Sequence, residues 1–289
     1  MNFKRKIRKT FDISNVKMKR MDSKEIPDDK EEVRLFVVGI DSDYLIPHFL
    51  KHYFDIGVDR IFYIDNDSSD NSLEMLEQYD RVHVWLQKEK FGVSNKQGIT
   101  WRSYLLDRYG CGNWCLLVDA DELFIYPNYE NKTIQEFIKD QEDNGCDRVK
   151  ARLIEMYSNK KVKNTTLKDS LIETCPYFDK SLYGCRDRLF GLKPFFSKMP
   201  LLRYHKDILV IAGAHRAKGY NKLSNINCGL LHFKFISNFL LWDSKHSNKL
   251  IRKIREKEKV YDGLGDINFY NEEVSMEYVG SKVLDVFKN

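Results

Sequence analysis

The chain has 289 residues, 42% hydrophobic and 13% aromatic, enough to bury a large core as one big domain or two small ones. Its formal net charge is +5, and no apolar window reaches the ~20 residues that cross a bilayer, which excludes a spanning helix. Six scattered cysteines (Cys111, Cys115, Cys146, Cys175, Cys185 and Cys228) form no C-x-x-C pair. That excludes a zinc-ribbon pattern and fits a reducing cytosol better than a disulfide scaffold.

Residues 1–32 read as a basic, disordered tail. Lys4, Arg5, Lys6, Arg8 and Lys9 open it, and Lys17, Lys19, Arg20 and Lys24 continue the run. It lacks the apolar segment of a signal peptide. Such a tail can rest peripherally on the anionic inner face of a membrane from a cytoplasmic location. A nucleic-acid partner is not expected, because no motif for reading bases accompanies the charge.

Ordered structure is expected from Val33. Val33–Gly39 is a short run rich in β-branched residues, the composition of a buried strand. Tyr44–Ile56 places Leu45, Phe49, Leu50, Tyr53 and Phe54 at helical spacing, with Gly57 where a helix C-cap belongs. Arg60–Ile64 is a second strand, Asp70–Tyr79 a helix, Val82–Leu86 a third strand, Ile99–Tyr109 a helix and Cys115–Val118 a fourth strand. This alternation predicts an α/β fold with a mainly parallel sheet flanked by helices, whose ligands bind beyond the carboxyl ends of the strands. Asp41, Asp65 and the pair Asp119 and Asp121 all fall at such ends.

The second half is less regular. A helix is expected over Thr133–Lys139 and a strand over Arg148–Met156. Residues 158–185 look loop-like, with a mobile segment around Asn159–Asn164. Leu230–Phe235 reads as a last strand, Phe233–Trp242 as a buried or interfacial helix, and residues 245–259 as a charged helix. No repeat or linker follows residue 33, so a single domain is expected.

The densest chemical signal is Trp114–Pro127. The apolar run Cys115–Val118 leads into Asp119-Ala-Asp121-Glu122, and a second apolar run follows. Carboxylates at the end of a buried strand lose hydration, so a cluster of them calls for a neutralising cation. Hard oxygen ligands of this kind suit Mg²⁺ or Mn²⁺, which in turn suit substrate phosphates. A phosphatase that uses Asp-x-Asp as nucleophile would carry the motif in its first strand; here three strands precede it. A calcium loop beginning at Asp65 would need Gly at its sixth position and Glu at its twelfth, where the chain has Asp70 and Leu76.

Taken in order, these segments resemble the glycosyltransferase family 2-like proteins of the GT-A fold. The resemblance is carried by Tyr44–His52, by Ile56–Asp70 with its Asp65-Asn-Asp-Ser-Ser-Asp70 turn, by Trp114–Pro127 and by Leu230–Phe235. It implies a GT-A-like, Rossmann-type domain over 33–289. The nucleotide-binding half would span about 33–127 and the acceptor half about 128–240, with a charged helix over about 240–260. Where the family has Arg-Asn-Glu after its first strand, this chain has Gly39-Ile40-Asp41; Asp41 can replace the Glu, but the Arg and Asn are lost.

The resemblance further implies a hexosyl- or related transferase. Such an enzyme moves a sugar from a nucleotide-diphosphate donor, UDP-linked in the first instance, to a hydroxyl of a glycan or other acceptor. Bacterial surface-polysaccharide synthesis is the family-level setting. Asp121 would bind Mn²⁺ or Mg²⁺ most directly. Asp119 would bind the ribose or a metal-bound water, and His232 would complete the metal or diphosphate site, with His215 as second choice. Asp65, together with Asp67 and Asp41, would contact the nucleotide, and Asp70 would cap the next helix. Arg186, Arg188, Lys193 and Lys198 could bind diphosphate or an anionic acceptor. The general base required by an inverting transfer falls to Asp187 or Glu155; otherwise Asp187 would pair with its flanking arginines and Glu155 would simply be exposed. The alternative function is a catalytically degenerate protein of this fold that binds a carbohydrate or a partner.

Overall fold

The computed structural model describes residues 13–92, 98–181, 183–191, 196–211, 216–218, 222–246 and 263–287. The basic residues before position 13, Lys193, His215 and the charged run beyond 246 lie outside them. In chain order the elements are β1 (Lys19–Arg20), β2 (Val33–Gly39), α1 (Ile46–Asp55), β3 (Arg60–Asp65), α2 (Ser72–Glu77), β4 (Val82–Leu86), α3 (Ile99–Tyr109), β5 (Trp114–Leu117), β6 (Glu122–Ile125) and α4 (Ile134–Asp143). Then come β7 (Arg148–Glu155), α5 (Leu171–Thr174), β8 (Tyr177–Asp179), α6 (Gly184–Phe190), β9 (Ser197–Arg203), β10 (Leu209–Ile211), β11 (Arg216–Lys218), β12 (Cys228–His232), α7 (Ser237–His246) and β13 (Ser275–Glu277).

The protein has the expected α/β architecture, built on a nine-stranded mixed sheet with flanking helices. By its contacts the chain divides into two compact units. The first comprises Met1–Ala120, Asn128–Ala151 and Ser197–Cys228, and the second Asp121–Pro127, Arg152–Phe196 and Gly229–Asn289.

In the first unit the strands run β1-β4-β3-β2-β5-β9. The four strands β4, β3, β2 and β5 are mutually parallel, and β1 and β9 flank them antiparallel. The parallel strands are buried along almost their whole length, as strands covered on both faces must be. Phe36, Phe62 and Trp85 project from adjacent strands; Phe36 and Phe62 stack at 4.7 Å and Phe62 and Trp85 at 5.7 Å. Trp101 and Leu105 of α3 close over this core. Helix α1 starts with Pro47 in its first turn and ends before Gly57, whose φ of 98° a side chain would resist. Helix α4 is opened by a capping box between Thr133 and Glu136 and runs to Asp143, four residues beyond its expected end.

The tail expected through residue 32 takes on structure earlier. Lys19–Arg20 pairs with Trp85–Leu86, and the Met21 amide bonds the Val84 carbonyl at 2.9 Å. The segment is held by polar contacts that hydrophobic patterning does not register. The Asp22 carboxylate accepts the Val84 amide at 2.9 Å and lies 3.2 Å from Nδ1 of the fully buried His83. Arg60 approaches the other ring nitrogen at 3.0 Å.

In the second unit β12 pairs antiparallel with β6, aligning His232 with Glu122. Gly229 lets β12 approach, since a Cβ there would meet Ile125 at 3.0 Å and Ile154 at 3.1 Å. The stretch expected to be mobile includes a 3-10 turn at Val162–Asn164, and it is anchored by Val162, which is 1% exposed. The helix expected over Phe233–Trp242 starts only at Ser237, because His232 still belongs to the strand.

Candidate functional site

At the carboxyl ends of β2 and β3, in the first unit, the predicted nucleotide-contacting residues build a tight polar turn. Asp41 is 7% exposed with a φ of 43°, a conformation aspartate tolerates better than most residues. Its carboxylate accepts the Ser69 amide at 2.6 Å and the Asp70 amide at 3.3 Å. Asp65, 1% exposed, accepts the Ser68 amide at 3.0 Å. Burial raises the Asp65 carboxyl above its ordinary range, although hydrogen bonds from Ser68 oppose the shift. Asp67 is exposed at the tip with a φ of 62°. Asp70 accepts the Ser72 amide at 2.9 Å at the start of α2, and the Asp43 amide at 3.0 Å. Asn66 ties the turn to the segment just after β4 through the carbonyls of Gln87 and Glu89, both at 2.7 Å.

Gly39, where the sequence departs from the resembled family, is dictated by its neighbour. A Cβ at this position would lie 1.8 Å from the Tyr63 hydroxyl. Tyr63 itself is fully buried. The aromatic ring therefore takes the room that a larger residue at position 39 would need.

Asp119, just beyond β5, is held by two cations of the same unit. Lys198 Nζ lies 2.6 Å from its Oδ2, and the Arg102 guanidinium pairs with Oδ1. Both basic side chains are buried, whereas 43% of the Asp119 side chain reaches solvent. Burial alone would raise the Asp119 carboxyl; Lys198 and Arg102 overcome it and hold the group far below the usual carboxylate range. Sequence reasoning singled out Lys198 but missed Arg102, whose place on α3 between Trp101 and Leu105 looks like an ordinary helix position.

The second unit gathers a different cluster. Asp121, Glu122 and His232 each bring a ligand atom within 4.8 Å of the others. Nε2 of His232 lies 3.1 Å from Asp121, and Nδ1 lies 3.0 Å from Glu155. Arg186 of α6 sits 2.6 Å from the other oxygen of Glu155. Burial disfavours a charged ring, but Glu155 and then Asp121 outweigh it and raise the His232 pKa to about 10. Burial likewise works against the Glu155 carboxylate, and Arg186 and His232 reverse the effect and lower its pKa. Two carboxylates thus flank the His232 ring and favour its protonated form.

Asp121 and His232 come together, but their third companion is Glu122; Asp119 is paired with Lys198 and Arg102 instead. Glu155, whose bland reading was an exposed carboxylate, is 6% exposed. Asp187 does not pair with its flanking arginines, because Arg186 reaches Glu155 and Arg188 forks onto Asp179 at 2.8 and 3.0 Å. Arg188 also donates to the Phe269 carbonyl at 2.5 Å, so the guanidinium expected on the donor is committed within the protein. The Asp187 carboxylate has no partner among the described residues.

Two carboxylates and an imidazole could hold a divalent metal ion, provided His232 releases a proton. The sequence matches no family model and no curated protein. Among solved structures it is similar to S. aureus TarS, a glycosyltransferase, at 16% identity and a TM-score of 0.36. That superposition covers 48% of this chain and 24% of the other, so the chain spans about a quarter of that structure's length. The functional reading accordingly rests on this chain's own residues.

Proposed function

We propose that the protein is a metal-assisted glycosyltransferase that moves a sugar from a nucleotide-diphosphate donor to a hydroxyl acceptor. The observation that carries this reading is the convergence of Asp121, Glu122 and His232, immediately beyond an apolar strand. These residues would hold Mn²⁺ or Mg²⁺. The cation, when bound, would offset the negative charge that builds on a departing diphosphate.

The chain's own groups divide the remaining work. Glu155 and Arg186 fix the His232 ring; a carboxylate held so firmly in its charged form is a weak proton acceptor, so Glu155 is better placed as a positioning residue than as the base. Asp187 remains the candidate to take the acceptor's proton. Lys198 and Arg102 supply buried positive charge beside Asp119, which suits phosphate oxygens. Asp65, Asp67 and Asp41 frame a turn whose exposed face suits a nucleoside. UDP is the first donor nucleotide to test.

The test is thermal stabilisation by UDP and GDP, with and without Mn²⁺, on the wild type and on Asp121→Ala. Stabilisation that requires Mn²⁺ and disappears in the variant is expected, worth about 2.7 kcal/mol at a hundredfold excess over Kd. No stabilisation by any nucleotide with any metal would overturn the reading. A non-catalytic carbohydrate-binding role is favoured by one observation: the Asp41 and Asp119 carboxylates are already engaged by protein groups. Donor binding with neither hydrolysis nor transfer of the sugar would select that role.

A further inference from the structure

The second unit contains a polar cleft of about 160 Å³ that none of the roles above uses. It is reached along the strand that carries Glu155. From Glu155 the chain runs through Met156, whose amide bonds the His232 carbonyl at 2.9 Å, to Ser158 on the cleft wall. Three residues of extended chain cover about 10 Å. By the same volume measure the space would hold on the order of ten waters, so it suits one small polar unit rather than a lipid or a peptide.

Its walls carry hydroxyls fixed in place. Ser158 Oγ accepts the Lys160 amide at 3.3 Å, which leaves its own proton to give. Thr165 donates to the Lys161 carbonyl at 3.1 Å, which leaves its lone pairs. Thr174 accepts the Lys168 amide at 2.9 Å and donates to the Ser170 carbonyl at 2.7 Å, retaining one lone pair. Donors and acceptors with capacity to spare, held by backbone contacts, match the hydroxyls of a sugar. Tyr177 adds an aromatic ring, braced against Tyr270 at 4.8 Å. Such a ring can lie against sugar C–H groups without losing much rotamer freedom.

The charges give the sign of the ligand. Lys160 and Lys168 line the cleft, and neither ammonium has a partner among the described residues. Nearby Lys161 and Lys163 differ, both reaching Asp266, at 3.3 and 2.6 Å. Among the described residues of the lining Glu173 is the one acidic residue, so cations there outnumber carboxylates two to one.

We infer that this cleft is a subsite for an anionic saccharide unit, phosphorylated or carboxylated. Its assignment to the acceptor, rather than to a regulatory ligand, rests on the transferase reading.

Calorimetric titration with glucose 6-phosphate, glucuronate, glucose and inorganic phosphate tests it, on the wild type and on the double variant Lys160→Ala/Lys168→Ala. The two lysines are exposed, and a thermal melt checks that the variant folds. One of the anionic sugars is expected to bind at least about tenfold more tightly than glucose or phosphate, and the variant to lose at least about tenfold. Which of the two wins tells phosphate from carboxylate. Equal affinity for phosphate alone, equal affinity in the variant, or no binding of either anionic sugar would each overturn the inference. UDP with Mn²⁺, titrated in parallel, separates the two readings. Retained UDP binding without sugar binding removes the subsite alone. Sugar binding without UDP binding removes the transferase reading and the acceptor assignment, and leaves an anionic-sugar site.

Discussion

Asp119 and Asp121 are two residues apart in sequence, yet the groups gathered around them carry opposite charge. In the first unit one carboxylate, Asp119, faces two cations, Lys198 and Arg102. In the second unit three carboxylates, Asp121, Glu122 and Glu155, face Arg186, the more distant Lys234 and His232, and the negative charge is in surplus once the histidine gives up its proton. A buried cluster with surplus positive charge favours an anion, and one with surplus negative charge favours a cation. One short motif thus supplies both kinds of site, and the sign of each is set by residues far away in sequence.

The sharpest way to break this contrast is Asp121→Asn, which removes one carboxylate charge from the cation-seeking cluster. Donor turnover is expected to fall by at least about 10³, with loss of Mn²⁺-dependent UDP stabilisation. Unchanged turnover would show that the cluster is only structural.

Glu155→Gln and Asp119→Asn make the same chemical change in the two surroundings. The first takes the Glu155 charge away from Arg186, leaves His232 with Asp121 alone, and should cost about 3–5 kcal/mol in urea denaturation. The second leaves the buried Lys198 and Arg102 without their carboxylate, but that carboxylate is 43% exposed and partly screened by solvent, so the cost should be smaller, about 1–3 kcal/mol. Equal costs would refute the distinction.

Gly39→Ala should cost about 1–3 kcal/mol by overpacking against Tyr63, and the added change Tyr63→Phe should recover part of that loss. A last test is the pH profile of the metal-free protein. His232 has a raised pKa, so the stability it contributes is complete below its ordinary value near 6.5 and is lost as pH rises toward about 10. Between pH 7 and 10 the wild type should lose at least about 1.4 kcal/mol relative to His232→Asn, the equivalent of one pKa unit. Parallel profiles would show that Asp121 and Glu155 do not hold the proton on the ring.

The alternating half of the fold was legible because its strands are buried on both faces and its helices carry regular apolar spacing. Ile99–Tyr109 was predicted with the bounds observed. Long-range polar pairing was not legible. Nothing local marks Arg102 as the partner of Asp119, or sends Arg188 to Asp179 rather than to a ligand. Glu122 was read as part of the acidic motif, yet its place beside His232 follows from the antiparallel register of β6 and β12, which periodicity does not encode. β1 was missed for a related reason: it is two residues long, charged, and fixed through Asp22.

That short strand has a consequence for solubility. β4 would present its outer row of amides and carbonyls to solvent but for β1, Met21 and the Asp22 carboxylate, which occupy it from Val84 to Leu86. Uncovered strand edges recruit other chains. Removing residues 1–24 should therefore leave a protein that self-associates through β4, an outcome that light scattering would register even where secondary structure persists.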